Sequence, residues 1–166
     1  MIPRQYKIYT KALETAEDLL EELGYSEPPI SSLDIAIYLG YSMEEITMPK
    51  EFSNVAGYII EKEKKIKINK NDLLEYKIYT IAQQIGVLLL NDKNLPPENQ
   101  DLVLNKRHDF GVTTNSDIEK AAHYFALNLL IPTQILNGYA EYDERTLSKL
   151  FIVPRKAIAV QMDTLK

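Results

Sequence analysis

The sequence predicts an α+β fold in one compact domain. Three observations carry this. Apolar residues recur every three or four positions near the N-terminal end, again after Asp72, and again from Asp117 onward, which is the helical period. Between Tyr41 and Asn69 the pattern shortens into β-branched and aromatic runs, which is the strand signature. A chain of 166 residues with 45 % hydrophobic and 26 % charged content is long and apolar enough to bury a core, and not polar enough to stay disordered.

The elements follow in order. From Tyr6 to Leu23, residues Ile8, Ala12, Thr15, Ala16, Leu19, Leu20 and Leu23 share one helical face, and Gly24 can end the helix. Pro28-Pro29 breaks the chain. Ser31 or Ser32 can cap a second helix, Leu33 to Leu39, which Gly40 closes. Tyr41 to Met48, Val55 to Ile60 and Lys65 to Asn69 read as a small antiparallel three-stranded sheet, with Glu61 to Lys64 as a polar connection. Ile66 and Ile68 alternate with lysines, so one sheet face is wet. Ile78, Ile81, Ala82, Ile85, Leu88 and Leu89 give the helix Leu73 to Leu90 a wide apolar face, as a central buried helix requires.

Asn91 to Asn115 holds Pro96-Pro97 and little periodicity, and reads as a long irregular loop of the kind that is often functional. Ser116 to Glu119 can cap a second core helix, Asp117 to Ile131. Pro132 starts a short element. Asp143 to Phe151 and Pro154 to Leu165 form a helical C-terminal cap. The single domain thus divides into 1–48 with the N-terminal helices, 49–70 with the small sheet, 71–131 with two core helices and the long loop, and 132–166 with the cap.

Composition excludes several function classes. With no cysteine there is no disulfide, thiolate nucleophile or zinc ribbon. No apolar run approaches the roughly 20 residues of a membrane span, and the start Met1 to Lys7 lacks the apolar stretch of a secretory signal; the expected location is cytoplasmic. The net charge of −5 disfavours general nucleic-acid binding. Residues 1–48 carry nine Asp/Glu against three Lys/Arg, and 49–70 carry six Lys against three Glu. These are either two solvated faces or, on the N-terminal side, an acidic surface that meets a basic partner. The two terminal helices have a helix-turn-helix rhythm. Residues 141–166 hold only five Lys/Arg against four Asp/Glu, too weak a balance for a DNA-reading helix, so the stretch is read as completing the domain. The eleven tyrosines are expected mostly in half-buried positions.

The chemistry-bearing candidates lie on the two core helices. A zinc-peptidase helix carries H-E-x-x-H: histidines four apart share a face and reach one ion, and the glutamate activates the bound water. The central helix reads Tyr79-Thr80-Ile81-Ala82-Gln83-Gln84-Ile85-Gly86-Val87-Leu88-Leu89-Leu90-Asn91. It resembles the ImmA/IrrE zinc metallopeptidases, whose frame runs F-T-x-A-H-E-L-G-H-x-L-L-H, at Tyr79, Thr80, Ala82, Ile85, Gly86, Leu89 and Leu90. It departs at the chemistry: Gln83 and Val87 take the histidine positions, Gln84 the general-base glutamate, and Asn91 the later histidine.

The second core helix resembles the family's E-x-x-A-N-x-F-A-x-x-L-L-x-P. Glu119 aligns with the third zinc ligand, Ala122, Phe125, Ala126, Leu129, Leu130 and Pro132 align with the scaffold, and His123 replaces the usual Asn. Ile30 to Gly40, Val55 to Ile59, Ile66 to Asn69 and Leu147 to Ala157 match further family stretches in the same order.

The resemblance implies a zincin-like core and a bacterial or prophage setting, where active relatives cut helix-turn-helix repressors that control stress, mobile-element or toxin–antitoxin genes. With the HExxH motif lost, no catalytic residue and no cofactor are expected. Amide oxygens are weak zinc ligands and Val87 has no donor. The expected function is protein binding through the former metal cleft, Gln83, Gln84, Val87, Glu119 and His123, or through the loop Asn91 to Asn115. The expected partner is a helix-turn-helix repressor or a toxin–antitoxin component. Two other readings stay open: a metallo-endopeptidase with a relocated zinc site built from Glu119, His123 and His108, and an oligomeric interaction protein. Gln83 is expected to hydrogen-bond Glu119 or nearby backbone, Val87 to fill the apolar space of a lost ligand, and Glu119 with His123 to form a rim pair one helical turn apart.

Overall fold

The computed structural model describes residues 4–91, 103–105 and 117–166. Helix α1 (Arg4–Leu23) opens the chain, and Gly24 ends it in a left-handed conformation. Helix α2 (Ser32–Tyr38) follows, with the Ser31 hydroxyl accepting from the Asp34 amide as its N-cap. Ser32 lies buried behind that cap, and its hydroxyl donates to the Ile78 carbonyl at 2.8 Å, tying α2 to the central helix.

Strands β1 (Ser42–Ile46), β2 (Val55–Ile60) and β3 (Lys65–Asn69) come next, then the central helix α3 (Leu74–Leu90) and a short strand β4 (Val103–Asn105). Helix α4 (Asp117–Leu130) pairs with α3, and α5 (Thr133–Asn137), α6 (Glu144–Phe151) and α7 (Arg155–Asp163) form the C-terminal cap. The α+β class and the order of elements agree with the sequence expectation.

The sheet corrects it in two respects. It is four-stranded and mixed, in the order β1-β3-β2-β4. β2 and β3 form the expected antiparallel hairpin, but β1 pairs with β3 in parallel, Met43 opposite Ile66 and Glu45 opposite Ile68. The reason is topological. The connection through Pro49 and the single 3-10 turn Lys50–Phe52 carries β2 one position away from β1, and the hairpin then folds β3 into the gap. The second correction is β4. It comes from the stretch expected to be irregular and pairs antiparallel with β2.

One sheet face is apolar and the other wet. Ile59, Ile66 and Ile68 are buried against the helices, while Lys65 and Lys67 point outward. On the wet face Lys67 pairs with Glu44 across the parallel register. Gly57 faces α3: a Cβ there would lie 2.6 Å from the Lys67 carbonyl and 3.1 Å from Thr80 Cγ2. Asn69 ends β3 in a buried position, its amide donating to the Val55 carbonyl at 2.9 Å and its Oδ1 accepting from the Asn71 amide. The cap is fastened by Gln161, whose Nε2 donates to the Ile131 carbonyl at 2.8 Å just beyond α4. Helix ends leave such carbonyls without intrahelical partners.

Candidate functional site

Helices α3 and α4 meet where both are small. A Cβ on Gly86 would stand 2.8 Å from Phe125 Cδ1 and 3.0 Å from Ala122 Cα. Gln83, Gln84 and Val87 lie on α3, and Glu119 and His123 on α4. Tyr79, Gln83 and Val87 recur at four-residue spacing on α3, so they share a face. Thr80 and Gln84 recur on a neighbouring face, where Thr80 packs beside Gly57 of the sheet.

Tyr79 and His123 join the two helices. The Tyr79 hydroxyl lies 2.8 Å from His123 Nδ1 and 3.2 Å from the His123 carbonyl, with the rings edge to face at 5.7 Å. One assignment satisfies both contacts: Nδ1–H donates to the tyrosine oxygen and the tyrosine O–H donates to the carbonyl. His123 is only 6 % exposed. That corrects the rim position expected for it: the imidazole is held inside by a tyrosine that sequence reasoning matched only as a scaffold aromatic. The signal was the four-residue spacing of Tyr79 from Gln83, but the partner lies 44 positions away in sequence, beyond what periodicity can show.

The glutamines also depart from expectation. Gln83 is 3 % exposed and Gln84 fully buried. The side-chain Nε2 of Gln83 and both polar atoms of Gln84 have no hydrogen-bond partner among the described residues. The expected amide bond from Gln83 is not made by that nitrogen. Val87 is buried. Glu119, half-buried on the first turn of α4, makes a polar contact. His108 and all of the loop Asn91 to Asn115 except Asn91 and the backbone of β4 lie outside the described residues.

A family model described as Peptidase_M78, IrrE N-terminal-like domain, matches residues 37–163. The chain belongs to this family. A solved Mycobacterium tuberculosis transcriptional regulator shares the fold, with a TM-score of 0.62 at 16 % identity, over 90 % of this chain and 54 % of that one. The IrrE-like chain thus spans about half the length of that regulator. No curated protein matches it in sequence.

The donor set on this IrrE-like scaffold does not fit the zinc ion of peptidase relatives. Catalytic zinc takes about three protein ligands from imidazole, thiolate or carboxylate. Here the α3 positions supply two neutral amides and an isopropyl group, which leaves the Glu119 carboxylate and the His123 imidazole on α4 as the zinc-type donors among these positions. Among the described residues no group of three or more His, Asp or Glu could hold a metal. Gln84 cannot take a proton at neutral pH, so it cannot act as the general base that the position requires.

Proposed function

We propose that this chain is an IrrE-type regulatory protein that works by binding another protein instead of cleaving it, in a bacterial or prophage setting. The observation that carries the reading is the chemistry of the α3–α4 crossing. At the α3 positions where the family motif would polarise a peptide carbonyl and activate water stand two amides, Gln83 and Gln84, and an alkyl group, Val87, while Glu119 and His123 lie on α4. Gln83, Gln84, Val87 and His123 are buried, so a partner would meet this region at its rim, near half-buried Glu119, and the two amides and the alkyl group on α3 offer no base to activate water.

The partner this reading favours is a helix-turn-helix repressor or a toxin–antitoxin component, since the family and the regulator-like fold both lean toward gene control. The test is to mix the purified chain with the repressor encoded beside it, and to follow binding by calorimetry and integrity by intact mass spectrometry. A complex with an unbroken partner is the expected result. Fragments that vanish with a chelator or with Glu119→Ala would show a metallo-endopeptidase with altered ligands instead.

A further inference from the structure

We propose that the groove between α1 and the α4–α5 corner docks a basic segment of a protein partner, with an arginine seated between Glu17 and Glu21. This surface is separate from the α3–α4 crossing and does not depend on whether that crossing is catalytic. The groove encloses about 370 Å³, at the small end of the roughly 300–1,000 Å³ of ligand pockets. Leu20, Tyr25, Pro132 and Ile135 give it apolar lining, and Thr133 and Gln134 uncharged polar lining. Glu17 and Glu21 line the same space and stand one helical turn apart, close enough for both carboxylates to reach one cation.

Three features select the occupant. Among the described residues no lysine or arginine lines the groove, and neither carboxylate is paired. Two unpaired like charges at this spacing disfavour each other until a cation joins them. Helix α1 carries five acidic side chains against three basic ones, and all five acids lie in its second half, Glu14 to Glu22, a local field that attracts cations to this side. The flanking apolar surface asks for more than a point charge. Arginine meets both demands, because its planar fork can bridge two carboxylates while its weakly hydrated stem lies on apolar atoms. Tyr25, Pro132 and Ile135 then take an apolar neighbour from the same segment.

The test is a titration of the isotope-labelled full chain with three probes, read by amide chemical shifts: a short capped peptide of alternating leucine and arginine, the same peptide with glutamate for arginine, and spermine. The leucine–arginine peptide should move amides of α1 and α5. The variant Glu17→Gln/Glu21→Gln should weaken it about tenfold, and added salt should weaken it too. Both glutamates are exposed, so the variant should keep its helical circular dichroism and thermal midpoint. Equal binding of the acidic peptide, unchanged binding to the variant, or no shifts in the groove would overturn the proposal. Spermine binding as tightly as the leucine–arginine peptide would overturn the choice of a protein segment.

Discussion

Gln84 is a fully buried amide in which neither the nitrogen nor the oxygen has a partner. Leaving a buried polar group unsatisfied costs about 1–3 kcal/mol. The near-isosteric Gln84→Met should therefore raise stability, by about 1 kcal/mol, measured by urea unfolding. A loss of stability would mean that the amide has partners in solution. Tyr79 is the opposite case, since its hydroxyl meets both Nδ1 and the carbonyl of His123. Tyr79→Phe should cost about 1–2 kcal/mol in the same experiment.

At the scale of elements, the α3–α4 crossing depends on Gly86. Alanine is the better helix former by about 1 kcal/mol, but its methyl would run into Phe125 and the Ala122 backbone. Overpacking of this kind costs about 1–3 kcal/mol, so Gly86→Ala should destabilise the chain despite its propensity, which thermal unfolding will read. Helix α6 carries a pH-dependent cap. Asp143 accepts from the Thr146 amide at 2.7 Å, and this bond holds its carboxyl below the usual aspartate range. Because the folded pKa is the lower one, the stabilisation is present above the unfolded value, about 3.9, and is lost as pH falls through the folded value. Hydrogen-exchange protection in the first turn of α6 should drop below about pH 4, and Asp143→Asn should remove that pH dependence while keeping the cap.

Most of the fold was legible at this scale because helices announce themselves locally. The apolar period gave α1, α3 and α4 to within two residues at each end; β-branched and aromatic content gave β2, and alternation with lysines β3, with their observed limits. What escaped needed distant information. The parallel pairing of β1 with β3 follows from where β2 lands, not from any residue in β1. β4 has three residues, too few for a period to show.

For the molecule as a whole, the comparison that matters is between scaffold and chemistry. Family-like side chains persist where packing needs them: Gly86 at the crossing, Ala122 and Phe125 facing it, and Pro132 after α4. On the proposed pseudopeptidase reading, the residues replaced are the metal ligands and the general base. The candidate positions on α3 and α4 could be named from the sequence because each set lies within one helical stretch. The Tyr79–His123 contact and the groove along α1 could not, since each is made by elements far apart in the chain, although the acidic balance of residues 1–48 could. The most direct test is the metal content of the full chain purified from zinc-supplemented cells, by plasma mass spectrometry against protein concentration. The account predicts zinc well below one ion per chain, unchanged by Glu119→Ala or His123→Ala. One tightly held zinc per chain, lost with either substitution, would contradict it.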